Sequence, residues 1–225
     1  MTKLPVEARL SATVVLLRDT EHGLETLLLR RNPKLAFAAG SWVFPGGAVD
    51  RIELESAPTE RRATEIAAVR EVQEECGVIV SDDALVHFCN WTTPETEKKR
   101  FTTWFFVAHV KNPDVEIIID NGEIHEYQWL RPEQALALHG QDELRLMPPA
   151  FLSLILISHY QTAEAACQSL AQREPFSVTP KLSKASGQMA ALYPGDAEYE
   201  TGQLSPDGPQ HRTVFSDQGM KYIHS

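Results

Sequence analysis

Cations, cysteines and long apolar runs are all scarce in this 225-residue chain, and each shortage excludes something. Lys and Arg number 21 against 31 Asp and Glu, a formal net charge of −10. Neither nucleic acid nor an anionic membrane is expected as a partner, because both are gripped by neutralising phosphates with basic side chains. The three cysteines, Cys76, Cys89 and Cys167, form no C-x-x-C pair. That argues against a disulfide framework or a thiolate zinc site and for a reducing compartment. The longest strongly apolar run, Phe151 to Ile157, is far shorter than the roughly 20 residues that cross a bilayer. The opening MTKLPVEARL has no stretch resembling a signal peptide, so a cytoplasmic protein is expected. The eight histidines show no metal-ligand spacing. What remains is the ordinary balance of a globular chain, 43% hydrophobic and 23% charged, with length enough for one sizeable core and an extension.

Ser11 to Arg18 and Glu25 to Arg30 read as strands joined by the polar turn Asp19 to Gly23. Ser41 to Phe44 is a short extended piece stopped by Pro45-Gly46-Gly47, and the acidic stretch Asp50 to Pro58 reads as a loop. Thr59 to Cys76 carries Ala63, Ile66, Ala67, Val69 and Val72 at helical spacing, and Gly77 suits the position just past a helix end. Ala84 to Trp91, Phe101 to Val110 and Tyr127 to Leu130 read as strands, and Pro132 opens a short helix through Leu138. Pro148 to Leu170 reads as one longer helix, and the tail after Arg173 is rich in Gly, Pro, Ser and Asp. In that tail Thr213 to Phe215 and Lys221 to Ile223 are candidates for a small hairpin about the turn Ser216 to Gly219. Interleaved strands and helices predict an α/β core.

The stretch that carries chemistry is Arg70-Glu71-Val72-Gln73-Glu74-Glu75-Cys76-Gly77-Val78. On a helix Glu71, Glu74 and Glu75 stand at i, i+3 and i+4 and share a face. As plain structure the placement is poor. Like charges at that spacing repel by about 0.2–0.5 kcal/mol a pair, and acids in a last turn oppose the helix dipole at roughly 0.3–1 kcal/mol each. A hard divalent cation bound by those oxygens would reverse both penalties. The bland reading is a solvated acidic face. Against it stand the flanking Arg70, Gly77 and Val78: the whole pattern should arise by chance about once in 10⁵ chains of this length at average residue usage.

Arg70 to Val78 resembles the second half of the Nudix hydrolase box, G-x5-E-x7-R-E-U-x-E-E-x-G-U with U aliphatic, and Gly47 with Glu53 matches its opening G-x5-E. The spacing departs from the family: Gly47 to Arg70 is 23 positions instead of 14, and eight residues before Arg70 stands Arg62, which is not acidic. Glu53 and Glu60 are both candidates for the box's first glutamate. Gly40-x3-Phe44-Pro45-Gly46-Gly47 is similar to the lead-in of coenzyme A-directed members, with Leu27 to Arg31 where their N-terminal motif begins. Ala36 stands where that motif carries Arg. The inserted box, Trp91-Thr92-Thr93-Pro94 and Arg100-Phe101-Thr102-Thr103 resemble the branch that contains the mammalian peroxisomal coenzyme A diphosphatase, although Ile223-His224-Ser225 is not a peroxisomal Ser-Lys-Leu.

The resemblance implies a Nudix-type α/β/α sandwich around a mixed sheet over residues 8–145, and a helical, loop-rich C-terminal extension over 146–225. It also implies metal-dependent hydrolysis of a nucleoside diphosphate linked to another moiety, with coenzyme A or an acyl-coenzyme A as the leading small-molecule substrate. Mg²⁺ or Mn²⁺ would sit on Glu71, Glu74 and Glu75, with Glu71 either a ligand or the general base. Arg70 would support the box as an ion-pair partner, and Gly77 would end its helix. Gly46 and Gly47 would let the backbone turn tightly and approach metal or phosphate; a plain turn after Pro45 is the alternative. Glu123 is a candidate further acid and Arg100 a candidate phosphate contact, each set against simple surface solvation. Trp91, Trp104 and Phe106 suit either a substrate pocket or the core.

Two other functions stay open. One is hydrolysis of ADP-ribose, an ADP-sugar or a dinucleotide. The other is a non-catalytic ligand-sensing or interaction module, a role that loss of Glu74 or Glu75 would have favoured. The long helix and tail are expected to cap the site or to form a homodimer interface.

Overall fold

A computed structural model describes residues 6–35, 38–185, 187–205, 207–217 and 219–225. Ala36, the first five residues of the opening MTKLPVEARL and Gln218 within the turn Ser216 to Gly219 lie outside these. The first two strands, β1 (Arg9–Thr20) and β2 (Gly23–Arg31), pair antiparallel. They are followed by β3 (Trp42–Val43), β4 (Gly46–Ala48), β5 (Val86–Thr92), β6 (Phe101–His109) and β7 (Ile124–Leu130) in one mixed sheet. Its path runs β3-β2-β1-β6-β5, with β4 paired to β1 and β7 to β2, and the β1–β6 pair is parallel. β1 is apolar almost throughout because both of its faces are covered. Ala12, Val14 and Leu16 enter one core cluster while Val15 and Leu17 enter the other, the alternation a strand imposes.

On the first face lies α2 (Glu60–Cys76), contributing Ala63, Ala67, Ala68, Val72 and Cys76 to the core. The Thr59 hydroxyl accepts the Arg62 N–H at its start, and Gly77 ends it at φ 72°, its N–H donating to the Gln73 carbonyl. The expected loop from Asp50 to Pro58 is instead a short helix, α1 (Arg51–Ser56). It has too few apolar residues for a periodic signal. Its cue is the Asp50/Glu53 spacing: Glu53 turns back to accept the Asp50 N–H at 2.6 Å.

The second face is covered by α3 (Pro132–Gly140), α4 (Pro148–Ile157) and α5 (Ala163–Ala171). The single helix predicted from Pro148 to Leu170 is therefore two. Thr162 caps α5 by accepting the Ala165 N–H, and the Ala163 N–H donates to Asp19 at the end of β1. These two bonds turn the chain out of the axis of α4.

The tail also holds more regular structure than its composition suggested. After α5, β8 (Phe176–Val178) adds to the main sheet beside β5. A second antiparallel sheet follows, with β9 (Lys181–Ala185), β10 (Gln188–Leu192), β11 (His211–Ser216) and β12 (Gly219–His224) in the order β12-β11-β10-β9. The expected hairpin is β11–β12. Tyr193, fully buried, packs in the same core cluster as Trp91 and Phe151. His139 of α3 ties the second sheet down: its Nε2 accepts the Met220 N–H at 3.2 Å while its Nδ1 bonds the Leu144 carbonyl. Among the described residues, no helix is long and apolar enough to cross a membrane.

Candidate active site

The site is assembled where α2 crosses β4. Arg70 lies at its centre. Its Nε donates to Glu53 Oε1 at 2.8 Å, and Nη2 donates to Glu53 Oε2 at 3.2 Å and to the Ala48 carbonyl at 3.1 Å. Nη1 donates to Glu71 Oε1 at 2.7 Å and to Glu74 Oε2 at 3.1 Å. Of the two candidates for the first box glutamate, Glu53 meets Arg70, whereas Glu60 lies a full ten residues back along α2 from it. The extra residues are thus taken up between Glu53 and Arg70, by the end of α1 and the first turns of α2.

The carboxylates differ in how well they are matched. Burial works to raise the Glu53 pKa, but the hydrogen bonds from Arg70 and the Asp50 N–H outweigh it and hold the carboxyl below its ordinary range. Glu71 goes the other way. Burial raises it, Glu74 and Glu123 add repulsion, and the Arg70 bond offsets only part. Glu75 is the most frustrated. Burial pushes it up to about 8, against the Gly46 N–H bond, and the charges of Glu71 and Glu123 outweigh the pull of Arg31. Its Oε2 accepts the Gly46 N–H at 2.8 Å.

Gly46 and Gly47 are not a plain turn: they open β4, paired with Thr13 and Ala12 of β1. A Cβ on Gly47 would overlap the Glu71 carboxyl, and one on Gly46 would meet the Ala12 carbonyl and stand 2.7 Å from Thr13 Cα. Glycine is required here because backbone packs directly against carboxylate and backbone.

Glu123 reaches the site electrostatically, just before β7, and pairs with Arg31 at 3.2 Å. Arg100 does not join it. Its Nε donates to the Thr93 carbonyl and its Nη1 to the Val6 carbonyl, which ties down the strand ends. Trp91 and Phe106 are core, whereas Trp104 is partly exposed and stacks on His87 with ring centroids 4.4 Å apart. Arg31, read from the sequence only as the end of the Leu27 to Arg31 motif, is the residue not singled out there for the site. Its signal was a basic residue ending an apolar strand in a chain short of cations.

Among the described residues, no three His, Cys, Asp or Glu side chains stand ready-converged on one point, since Arg70 draws Glu71 and Glu74 while Gly46 draws Glu75. The donor set nonetheless suits a hard divalent cation: carboxylate oxygens beside an open backbone, with Glu75 buried in like charge.

The fold is a two-faced mixed sheet carrying a carboxylate-rich helix over a Gly-Gly strand. The NUDIX domain family matches residues 8–150. The chain belongs to the Nudix family, hydrolases that act on pyrophosphate bonds and in general use divalent metal ions. It is 24% identical over 264 aligned positions to nudix hydrolase 7 of Caenorhabditis elegans, covering 94% of this chain and 86% of that protein. It is also 30% identical over 81 residues to the acyl-coenzyme A diphosphatase NUDT19 of Xenopus laevis, a match spanning 34% of this chain and 21% of that relative. Among solved structures, a NUDIX hydrolase from Alicyclobacillus acidocaldarius superposes with a TM-score of 0.65 at 22% identity, covering 75% of this chain and 99% of that one.

Proposed function

We propose that the protein is a divalent-metal-dependent diphosphatase acting on coenzyme A or an acyl-coenzyme A, through Glu71, Glu74 and Glu75. The observation that carries the catalytic part is the crowding of buried, poorly matched carboxyls at Glu71 and Glu75 beside a backbone stripped of side chains at Gly46 and Gly47. Mg²⁺ or Mn²⁺, when bound there, would neutralise both carboxylates and the diphosphate and acidify a water. Glu74, on the exposed side, and Glu75, on the buried side, would hold the cation. Glu71 Oε1 is engaged by Arg70, which leaves Oε2 to take the water's proton or to share the ion. Arg70 is a positioning residue, since its donors are spent on Glu53, Glu71, Glu74 and the Ala48 carbonyl. Glu123 adds negative charge to the field around Glu71 and Glu75.

The substrate is supported by the Gly40 to Gly47 lead-in and by the partial similarity to a diphosphatase named for acyl-coenzyme A. Turnover with product identification on coenzyme A, acetyl-coenzyme A, ADP-ribose, NADH and diadenosine polyphosphates, each with Mg²⁺ or Mn²⁺, tests it. Release of 3′,5′-ADP from coenzyme A by wild type but not by Glu75→Gln is the expected result. Turnover of ADP-ribose or NADH alone would remove the coenzyme A assignment. No turnover and no metal binding would point to a non-catalytic module.

A further inference from the structure

A groove of about 880 Å³ opens between α1, the start of β1 and the ends of β5 and β6, within the roughly 300–1,000 Å³ typical of small-molecule sites. It begins beside the candidate catalytic strand: Val49, two residues beyond Gly47, lines it and donates its N–H to the Leu10 carbonyl. Glu60, also in its lining, is eleven residues before Glu71 on α2. At 100° and 1.5 Å per residue the two lie within about 20° of each other around the axis and roughly 16 Å apart. The groove therefore touches the box helix at its first residue, on the side of the axis that carries Glu71, and its near end at Val49 adjoins the Gly-Gly strand.

Its lining is specific in kind. Leu10, Val49, Leu54 and Trp104 supply apolar surface. Asn90, Thr92 and Thr102 supply an amide and two hydroxyls, the hydroxyls 3.2 Å apart and each able to bond further. The charges balance, Arg9 and Arg51 against Glu7 and Glu60. A groove with no net charge is poorly suited to a second phosphate-bearing nucleotide, whereas apolar walls studded with amide and hydroxyl groups complement an elongated, uncharged arm that itself carries amides.

We infer that this groove binds the amide-containing acyl-pantetheine arm of the substrate, and that α1, whose last turn begins the residues inserted in the box, is the specificity element. This rests on the coenzyme A reading above and assigns it a place. Leu54, 44% exposed on α1, is the residue to change. KM and kcat for coenzyme A and decanoyl-coenzyme A would be measured for wild type, Leu54→Glu, Leu54→Met and Thr102→Trp, with melting temperatures alongside. Leu54→Glu and Thr102→Trp are expected to raise KM for the decanoyl substrate about tenfold, the scale of a lost apolar contact in a pocket, with the loss in KM and not kcat. Leu54→Met is expected to stay within about twofold of wild type, since the swap conserves volume. Hydrolysis of coenzyme A by wild type with KM unmoved in both disruptive variants would overturn the groove and leave the substrate standing. Failure of wild type to cleave coenzyme A at all would overturn both. Because Thr102→Trp fills the groove from β6, it keeps the test decisive if Leu54→Glu does not fold.

Discussion

Arg212 in the C-terminal sheet and Arg70 on the box helix both bind carboxylates, but with opposite arithmetic. Arg212 has one carboxylate partner, and its Nη1 donates to the Ser205 carbonyl. Its Nε and Nη2 each lie 2.7 Å from an oxygen of Asp196, which also accepts the N–H groups of His211 and Glu198. Burial works to raise the Asp196 pKa, but the Arg212 bonds and those two N–H groups outweigh it and hold the carboxyl below its ordinary range. Arg70 serves Glu53, Glu71 and Glu74 at once, while Glu75 accepts a single backbone N–H and is pushed up to about 8 chiefly by burial. A matched pair holds structure together. An unmatched set holds carboxyls whose ionisation is unfavourable until a cation offsets it, and that is what a catalytic metal site needs.

The comparison breaks most visibly through Glu75. Glu75→Gln is expected to lower kcat/KM about 10³-fold, roughly 4 kcal/mol of transition-state stabilisation, while raising the melting temperature of the metal-free protein. A loss below about tenfold would remove Glu75 from the chemistry. Asp196→Ala should do the reverse: it strands Arg212 as a buried charge and is expected to cost about 3 kcal/mol in urea unfolding, with kcat of the folded protein unchanged. Equal activity losses in the two variants would erase the distinction.

Acidity sharpens the same contrast. Between the ordinary carboxyl value of 4.5 and about 8, folded Glu75 retains a proton that the unfolded chain has released. Metal-free stability should therefore fall as pH rises through that window, and Glu75→Gln should flatten the slope. Asp196 has the opposite sign: its contribution is present above the unfolded value of 3.8 and is lost as pH falls through its depressed one. A metal-free melting curve that rises from pH 5 to 8 would contradict the assignment. The smallest effect is expected at the helix end between these concerns. Gly77→Ala places a side chain at φ 72°, with its Cβ 3.1 Å from that of Ile118, for a cost of about 1 kcal/mol readable by thermal unfolding.

Much of the box was legible because it is local. Glu71, Glu74 and Glu75 lie within five residues, and their shared face follows from helical geometry. Gly77 as the stop and Thr59 as the start are equally local signals. Where the reading failed, the deciding contact was distant or the apolar pattern thin. Helix α1 hides in an acidic stretch, and the break between α4 and α5 depends on Asp19, 144 residues from the Ala163 N–H it accepts. The second sheet is formed by strands whose side chains find their core against α3, α4 and Trp91 of β5.

The amino-acid order by itself determined the chemistry that this helix can offer: three acids on one face, an arginine before them and a glycine after. Tertiary structure alone decided which acid answers Arg70, that Gly47 must lie bare against Glu71, and that Arg31 and Glu123 share their field. Periodicity constrains residues within a turn or two of one another, whereas burial and field are sums over neighbours that packing brings from anywhere in the chain.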